Sequence, residues 1–400
     1  MATPYELYIH IPFCMKKCNY CDFLSGVFDV KMQKAYVAAL CTQIRFEATL
    51  LKNVELISIY IGGGTPSWLD AADMEIILNT VYDCFSVTGD AEISIECNPG
   101  TLSHDKLVTY RHIGIDRISI GLQSANNDEL KELGRVHDYN RFLYTYDAVR
   151  KAGFNNVNVD IMTGLPYQTL DKLHHTLNSV VMLRPEHISA YSLIIEKGTP
   201  FYRKYRFDDV KQRAGMETEA LPSEELSYQL YRHTIDFLTG KGYERYEISN
   251  YARPGFACRH NVGYWKRVPY LGVGLGAASL INNCRSSNIT DIYKYIEIAD
   301  KLNKQEFIDC DFCSPFYATF EKLSRSDAMA EFMYLGLRQI QGVYRSDFAE
   351  MFNCDIEGVY GGIMAALKEK QLLDASEGRI FLTDIGIDVS NQVLPYFLLD

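Results

Sequence analysis

Short β-like runs alternate with longer amphipathic stretches through the first half of the chain. The strand-like runs fall at 6–11, 57–62, 91–97, 117–122, 156–161 and 187–193. Helical patterns at 30–51, 71–85, 103–112, 140–152 and 169–183 separate them. Such alternation predicts parallel strands joined by right-handed crossovers. Six units predict an α/β fold, a partial (β/α)6 TIM-like barrel rather than a closed one of eight. After Ser223 the alternation stops. Residues 223–241 read as a helix with Ser223 as N-cap and glutamates in its first turn. Residues 242–280 are rich in Gly and Tyr and carry several turn signals. The stretch 326–400 is mostly helical and closes with the β-like run Gly378-Arg379-Ile380-Phe381-Leu382-Thr383, a pattern that predicts a winged-helix-like unit. The expected organisation is therefore a barrel core over 1–222, a connecting α+β region over 223–325 and a C-terminal domain over 326–400.

Polar residues collect where the predicted strands end. Gly62-Gly63-Gly64-Thr65-Pro66 follows the second strand, Glu96-Cys97-Asn98-Pro99 ends the third, Gln123 follows the fourth and Asp160 lies near the end of the fifth. In α/β barrels the C-terminal edge of the strands carries the active site. With the loop that follows the first strand, five strands thus deliver chemistry-capable groups to one rim. Each of these residues also has an ordinary reading as a strand-end or helix-start polar group.

The loop after the first strand is more specific. It reads Cys14-Met15-Lys16-Lys17-Cys18-Asn19-Tyr20-Cys21, a C-x3-C-x2-C spacing. Iron–sulfur clusters are held by cysteine thiolates on short loops. Three such ligands leave one iron of a cubane open to a small molecule. A zinc site would need a fourth ligand, and the only close candidate, His10, falls inside the predicted strand. Cys310-x-x-Cys313 has no second pair to complete a metal site. Cys41, Cys84 and Cys354 fit helix interiors, and His174-His175 fits a solvated helix edge.

Composition narrows the classes. Four hundred residues with 47% hydrophobic content support a large core plus an appendage. The net charge of −11 argues against nucleic-acid binding, and acidic residues outnumber basic ones in 326–400. No apolar stretch is long enough to predict a membrane span, and no signal peptide is evident. Eleven cysteines without such a signal read as reduced thiols, so a cytoplasmic location is expected.

The cysteine spacing resembles the signature of the radical S-adenosylmethionine (SAM) superfamily. The resemblance implies a [4Fe-4S] cluster on Cys14, Cys18 and Cys21, with SAM on the open iron. Gly63, Gly64 and Thr65 match the glycine motif that meets the SAM amino group. Tyr8, Glu96, Gln123, Arg135 and Asp160 match SAM-contacting positions of the oxygen-independent coproporphyrinogen-III-oxidase-like family. A second run, His260-Asn261-Val262-Gly263-Tyr264-Trp265, resembles the H-N-x-x-Y-W motif of that family's heme chaperone branch. It implies heme binding by His260, Asn261, Tyr264 and Trp265, with His260 as the axial-ligand candidate. The oxidase pattern has a longer leader before its cysteines and a further Cys two residues after the third, where this chain has Phe23. The chain departs from many relatives in carrying Gly276-Ala277-Ala278-Ser279 where those place a His. The implied function is a heme chaperone that carries the cluster and SAM and hands heme to an acceptor protein such as a respiratory hemoprotein. The implied electron donor is a flavodoxin or ferredoxin, and peripheral membrane association is left open. The alternatives are oxidative decarboxylation of coproporphyrinogen III and radical-driven opening of the heme ring.

Overall fold

The computed structural model describes residues 2–306 and 312–399, so Cys310 lies outside the described residues. Six strands, β1 (Thr3–Ile11), β2 (Val54–Gly63), β3 (Ser86–Cys97), β4 (Arg117–Gln123), β5 (Asn156–Thr163) and β6 (His187–Ser192), pair in chain order and all in parallel. The helices between them are α1 (Val30–Leu50), α2 (Ala71–Cys84), α3 (His104–His112), α4 (Asn127–Glu132), α5 (Tyr139–Lys151) and α6 (Leu170–Met182). Side chains of Asp29, Ser103, Asp138 and Thr169 cap α1, α3, α5 and α6 by accepting from backbone N–H groups of the first turn. Their placement ends each loop sharply and brings the chain back to the next strand.

Alternation along the strands separates two chemistries. Leu7, Ile9 and Ile11 of β1, Ile59 and Ile61 of β2, Ile93 and Ile95 of β3, and Ile118 and Ile120 of β4 belong to one buried apolar core, shared with Tyr36, Leu40, Ile77, Leu78 and Leu177 of the helices. The intervening positions are polar: Glu6, Tyr8, Ser58, Tyr60, Glu92, Ser94, Glu96, Arg117, Ser119, Asn158 and Asp160. Because side chains alternate across a strand, the core lies between sheet and helices, while the concave face is polar.

The stretch 223–325 adds to the same sheet rather than forming a separate connector. After α7 (Pro200–Arg213) and α8 (Glu224–Gly240) come β7 (Glu244–Arg245) and β8 (Asn250–Ala252), which extend the sheet antiparallel beyond β6. The short helix α9 (Arg259–Trp265) leads to β9 (Tyr270–Val273), which pairs parallel with β1. Beyond it lie β10 (Ala278–Ile281), β11 (Cys284–Asn288), α10 (Ile292–Asn303) and β12 (Tyr317–Lys322). The result is one open sheet in the order β12-β11-β10-β9-β1-β2-β3-β4-β5-β6-β8-β7, with no closed barrel among the described residues. Sequence periodicity misses these additions because all but β12 are strands of two to five residues, too short to show a period.

A second core begins at α11 (Arg325–Gly336), which opens with a capping box between Ser324 and Asp327. Two further helices, α12 (Arg345–Phe352) and α13 (Ile356–Glu369), and a three-stranded sheet of β13 (Val343–Tyr344), β15 (Arg379–Leu382) and β14 (Leu373–Ser376) enclose Met333, Phe348, Tyr360 and Ile380. This helices-then-wing arrangement is joined to the barrel by a buried ion pair. The Arg267 Nε donates to Glu331 Oε2 at 3.0 Å, and Arg285 meets the other Glu331 oxygen at 2.7 Å. Removing one partner of a buried pair strands the other charge. Glu331→Ala is therefore expected to destabilise the fold by about 3–5 kcal/mol, measured by chemical denaturation. A loss below about 1 kcal/mol, the surface-pair range, would show that this junction carries little.

Candidate functional site

The cysteine loop is fixed at both of its flanks. Cys14 N donates to Gly26 O at 2.9 Å and Gly26 N to Pro12 O at 2.8 Å, closing the loop at its base. Further along, Asn19 N donates to Leu133 O and the Asn19 amide to Glu132 O, while Asn19 O accepts from Phe201 N. Gly134 lies at φ +73°, and a Cβ there would fall 2.8 Å from the Asn19 side chain. The loop is thus held against the ends of α4 and α7 by contacts over a hundred residues away in sequence.

The second strand ends on the loop. Gly64 N donates to Ile11 O and Thr65 N to Phe13 O. A Cβ on Gly64 would stand 2.9 Å from Cys14 Sγ, so only glycine admits this approach. The Thr65 hydroxyl is 3.7 Å from Cys14 Sγ, and Arg135 Nη1 is 3.6 Å from Cys18 Sγ. Asn98, two residues beyond Glu96, joins the two halves. Its amide donates to Thr65 Oγ1 at 2.7 Å, and its carbonyl accepts from Arg135 Nη2 at 2.5 Å.

These groups surround one cavity of about 500 Å³. Its wall holds Cys14, Cys18, Cys21, Gly63, Gly64, Thr65, Glu96, Gln123, Arg135 and Asp160, which are all of the predicted cluster and SAM residues except Tyr8. Tyr8 lies to one side, stacked on Tyr60 with its hydroxyl 3.0 Å from His10 Nδ1. Glu96 accepts from Tyr60 OH at 3.0 Å and from Gly63 N at 3.1 Å. Asp160 accepts from Ser119 Oγ and Asn158 Nδ2. Gln123 sits at φ +74°, in left-handed backbone, where the β4–β5 register slips between Gly121 and Gln123. Such a conformation persists when the surroundings over-determine it. Asn98, Tyr60 and Arg117, the last wholly buried on the cavity floor, were not predicted. Arg117, a charged residue at the start of a strand that is wholly buried, is a readable signal.

Burial sets the electrostatics. It pushes the Glu96 carboxyl up to about 7, with neighbouring Asp160 adding to the rise, and it raises Asp160 as well. Burial likewise raises the Cys21 thiol to about 11, reinforced by Cys18 and Cys14 despite a backbone N–H at Phe23. Among the described residues no three His, Cys, Asp or Glu side chains converge tightly enough for a single metal ion. Three thiols spread over one rim, with donors directed at two of the sulfurs, fit the separate corners of an iron–sulfur cubane instead.

The H-N-x-x-Y-W run lies at the opposite end of the cavity, and only Asn261 reaches its wall. His260 is 1% exposed. Its Nδ1 is 2.8 Å from Ser58 Oγ, its ring stacks on Tyr60 at 5.2 Å, and Tyr264 packs against its edge at 4.7 Å. Burial, then the nearby Arg117, lowers its pKa to about 3, so the imidazole is neutral. Gly263 presses on Glu6 so closely that a Cβ would overlap the carboxylate at 1.9 Å. Glu92 accepts from Arg259 N at 3.0 Å. Trp265 turns the other way, beneath the Arg338 guanidinium of the C-terminal domain at 4.6 Å. His260, Asn261, Tyr264 and Trp265 are thus not brought onto one surface: Asn261 faces the cavity, His260 and Tyr264 pack together beneath it, and Trp265 meets the C-terminal domain. α9 is a plug beneath the polar cavity; the His260 ring packs against Tyr60 and Tyr264, and its Nε2 is buried without a hydrogen-bond partner.

A strand-end cavity with three loop cysteines, a glycine cradle and facing acids defines the radical SAM class. Residues 8–180 match the radical SAM superfamily, and 323–389 match the HemN C-terminal domain. The chain is 33% identical to the heme chaperone HemW of Lactococcus lactis over all of this chain and 99% of that protein. It is 32% identical to the heme chaperone HemW of Bacillus subtilis over 98% of each. Among solved structures it resembles the coproporphyrinogen III oxidase HemN of Escherichia coli, a radical SAM enzyme, with a TM-score of 0.82 and 25% identity over 99% of this chain and 90% of that one. The chain belongs to the HemW heme chaperone family.

Two outcomes follow from the buried groups. A carboxyl raised from 4.5 to about 7 on folding costs stability once ionised, so the cost is absent below about pH 4.5 and complete above about pH 7. Relative to wild type, Glu96→Gln should gain about 1–3 kcal/mol of stability between pH 4.5 and 8, while SAM affinity falls. Parallel stability–pH curves would contradict the raised carboxyl. His260→Ala should cost about 2–4 kcal/mol from the space left under Tyr60 and weaken SAM binding, without altering the absorption spectrum of bound heme. A changed heme spectrum at unchanged stability would return the imidazole to the heme.

Proposed function

We propose that this protein is a heme chaperone that carries a [4Fe-4S] cluster on Cys14, Cys18 and Cys21 with SAM beside it, binds heme, and transfers it to an acceptor hemoprotein. The observation that carries this reading is similarity to heme chaperones along the whole chain, joined to a cavity whose wall carries Cys14, Cys18 and Cys21 together with Glu96, Arg135 and Asp160. When bound, the cluster supplies an iron for the amino and carboxylate groups of SAM and a source of single electrons. The chain's own residues do the positioning. Arg135, locked by Asn98 and Gly121 O, is the cation for a carboxylate. Glu96 and Asp160 accept from ribose hydroxyls, and the Gly63-Gly64-Thr65 backbone lies open to an amino group.

The heme surface we assign is the cavity mouth rather than α9. Phe23 and Ile194 line the cavity yet are 63% and 61% exposed, an apolar rim suited to a flat macrocycle. Lys16 and Lys17 stand beside it on the cysteine loop, placed for propionates. Phe23 occupies the position where the oxidase pattern carries a further cysteine, which favours the chaperone over a decarboxylase.

Anaerobically reconstituted protein should bind about four irons, lost on changing Cys14, Cys18 or Cys21 to Ala and retained in Cys313→Ala. It should bind heme, and Phe23→Asp/Ile194→Asp should speed heme loss to apo-myoglobin about tenfold with iron content unchanged. Carbon dioxide release from coproporphyrinogen in the presence of SAM and reductant, without heme retention, would replace the chaperone reading by the oxidase one.

A further inference from the structure

One wholly buried cation stands among the acids of the concave face. Arg117 opens β4 and is 1% exposed. The register sets Arg117 opposite Ser94 and Ser119 opposite Glu96 on β3, and Ser119 opposite Asn158 and Gly121 opposite Asp160 on β5. Side chains alternate across a strand, so Arg117 turns to the same side as Glu92, Ser94 and Glu96, where it joins the cavity wall. Among the described residues it makes no ion pair. Its Nη1 meets Ser94 Oγ only at 3.5 Å, and its Nε is buried without a hydrogen-bond partner. An isolated charge is too costly to bury, so the compensation for Arg117 comes at a distance, from several acids at once. Glu92, on the side of α9, accepts from Ser94 Oγ at 3.5 Å and from Arg259 N at 3.0 Å. Glu96 and Asp160, on the cavity side, are the acids proposed for the SAM ribose.

The same charge acts on those two carboxyls. Glu96 is faced by Tyr8 from β1, Tyr60 and Gly63 N from β2, Asp160 from β5 and Tyr191 from β6, with Cys97 beside it on β3 and neutral His260 of α9 behind Tyr60. Asp160 is faced by Ser119, Asn158, Ser189 and Tyr191. To these groups Arg117 adds the cation, and it opposes the rise that burial imposes on both carboxyls. Arg135, the second guanidinium on the wall, is held by Asn98 and Gly121 O and lies against Cys18. Two acids in one buried cavity with no cation behind them would share a proton, and a protonated carboxyl offers fewer lone pairs to a hydroxyl. We propose that Arg117 is a positioning residue for SAM: from behind, it keeps Glu96 and Asp160 ionised as acceptors for the ribose hydroxyls, without touching SAM itself. This rests on the reading of those two acids as ribose ligands.

The test uses the full chain with its cluster reconstituted and measures SAM affinity by calorimetry from about pH 6 to about pH 9. Wild-type affinity should rise with pH through about 7, where Glu96 ionises, and then level off. Arg117→Met/Glu92→Gln removes the cation together with the acid that bonds Ser94 and α9, so the charge on that side stays balanced. Its rise should move up by about one pH unit or more, so that SAM binds about tenfold or more weakly at neutral pH yet within about threefold of wild type near pH 9. Arg117→Lys keeps the charge without the fork, and should stay within about threefold of wild type at neutral pH. Iron content and circular dichroism should match wild type in both variants. A profile of the double variant that overlies wild type's would make Arg117 a structural residue and overturn the proposal. Equal weakening at every pH, or a tenfold loss in Arg117→Lys at neutral pH, would overturn it too, because pocket shape rather than charge would then be at fault. Unchanged SAM affinity in Glu96→Gln and Asp160→Asn would remove the ribose reading itself, and Arg117's role with it.

Discussion

The structure depends on keeping a polar face dry. Every second residue of the central strands is apolar and faces the helices, and the residues between are acids, amides, hydroxyls and one wholly buried arginine. Unpaired, such groups would cost more than the fold could bear. Many are tolerated because they satisfy one another: Asn158 donates to Ser119 and Asp160 and accepts from Ser189, and Glu92 takes the first N–H of α9, whereas Glu6 Oε2, Arg117 Nε and His260 Nε2 are buried without a hydrogen-bond partner. α9 closes the lower end of this face, and the cysteine loop borders the upper. What remains on this face is a cavity whose walls are already charged and hydrogen-bonded.

That arrangement explains why the same residues serve both stability and binding. Glu96 is held by Tyr60 and Gly63, and Tyr60 is in turn held by His260. A carboxylate placed this way is strained by its burial and gains when a ligand supplies hydroxyls to it. The motif that marks the family near residue 260 is thus tied to the cofactor site through a stack of three side chains, and to the C-terminal domain through Trp265.

Much of this was legible in the amino-acid sequence. The six parallel strands announce themselves by β-branched runs of six or so residues, and the residues we propose for the cluster and SAM by the cysteine spacing and their place at strand ends. Ten of those eleven positions meet at one cavity wall; Tyr8 alone stands back behind Tyr60. The additions to the sheet at 244–252 and 270–288 were not legible, because strands of two to five residues carry no period and pair with partners far away in the chain. Nor was the true place of His260. A histidine beside an asparagine and a tryptophan reads as a ligand, and only the packing of Gly263 against Glu6 shows that its helix points into the barrel. Asn98 is not legible as a site residue although it stands two residues beyond Glu96, since an amide's value lies in which two partners it bridges.

The tethering of the cysteine loop also bears on the order in which the molecule comes into being. The loop lies within the first 21 residues, yet its shape relies on Leu133 and Phe201, and the strand that leads into it pairs with Tyr270–Val273. The plug that seals the polar face lies at Arg259–Trp265. A nascent chain emerging from the ribosome therefore displays its three cysteines long before it can shape the loop that holds them. Assembly of an iron–sulfur centre belongs after synthesis, and the interval before then is when these thiols are open to oxidation and to the wrong metal.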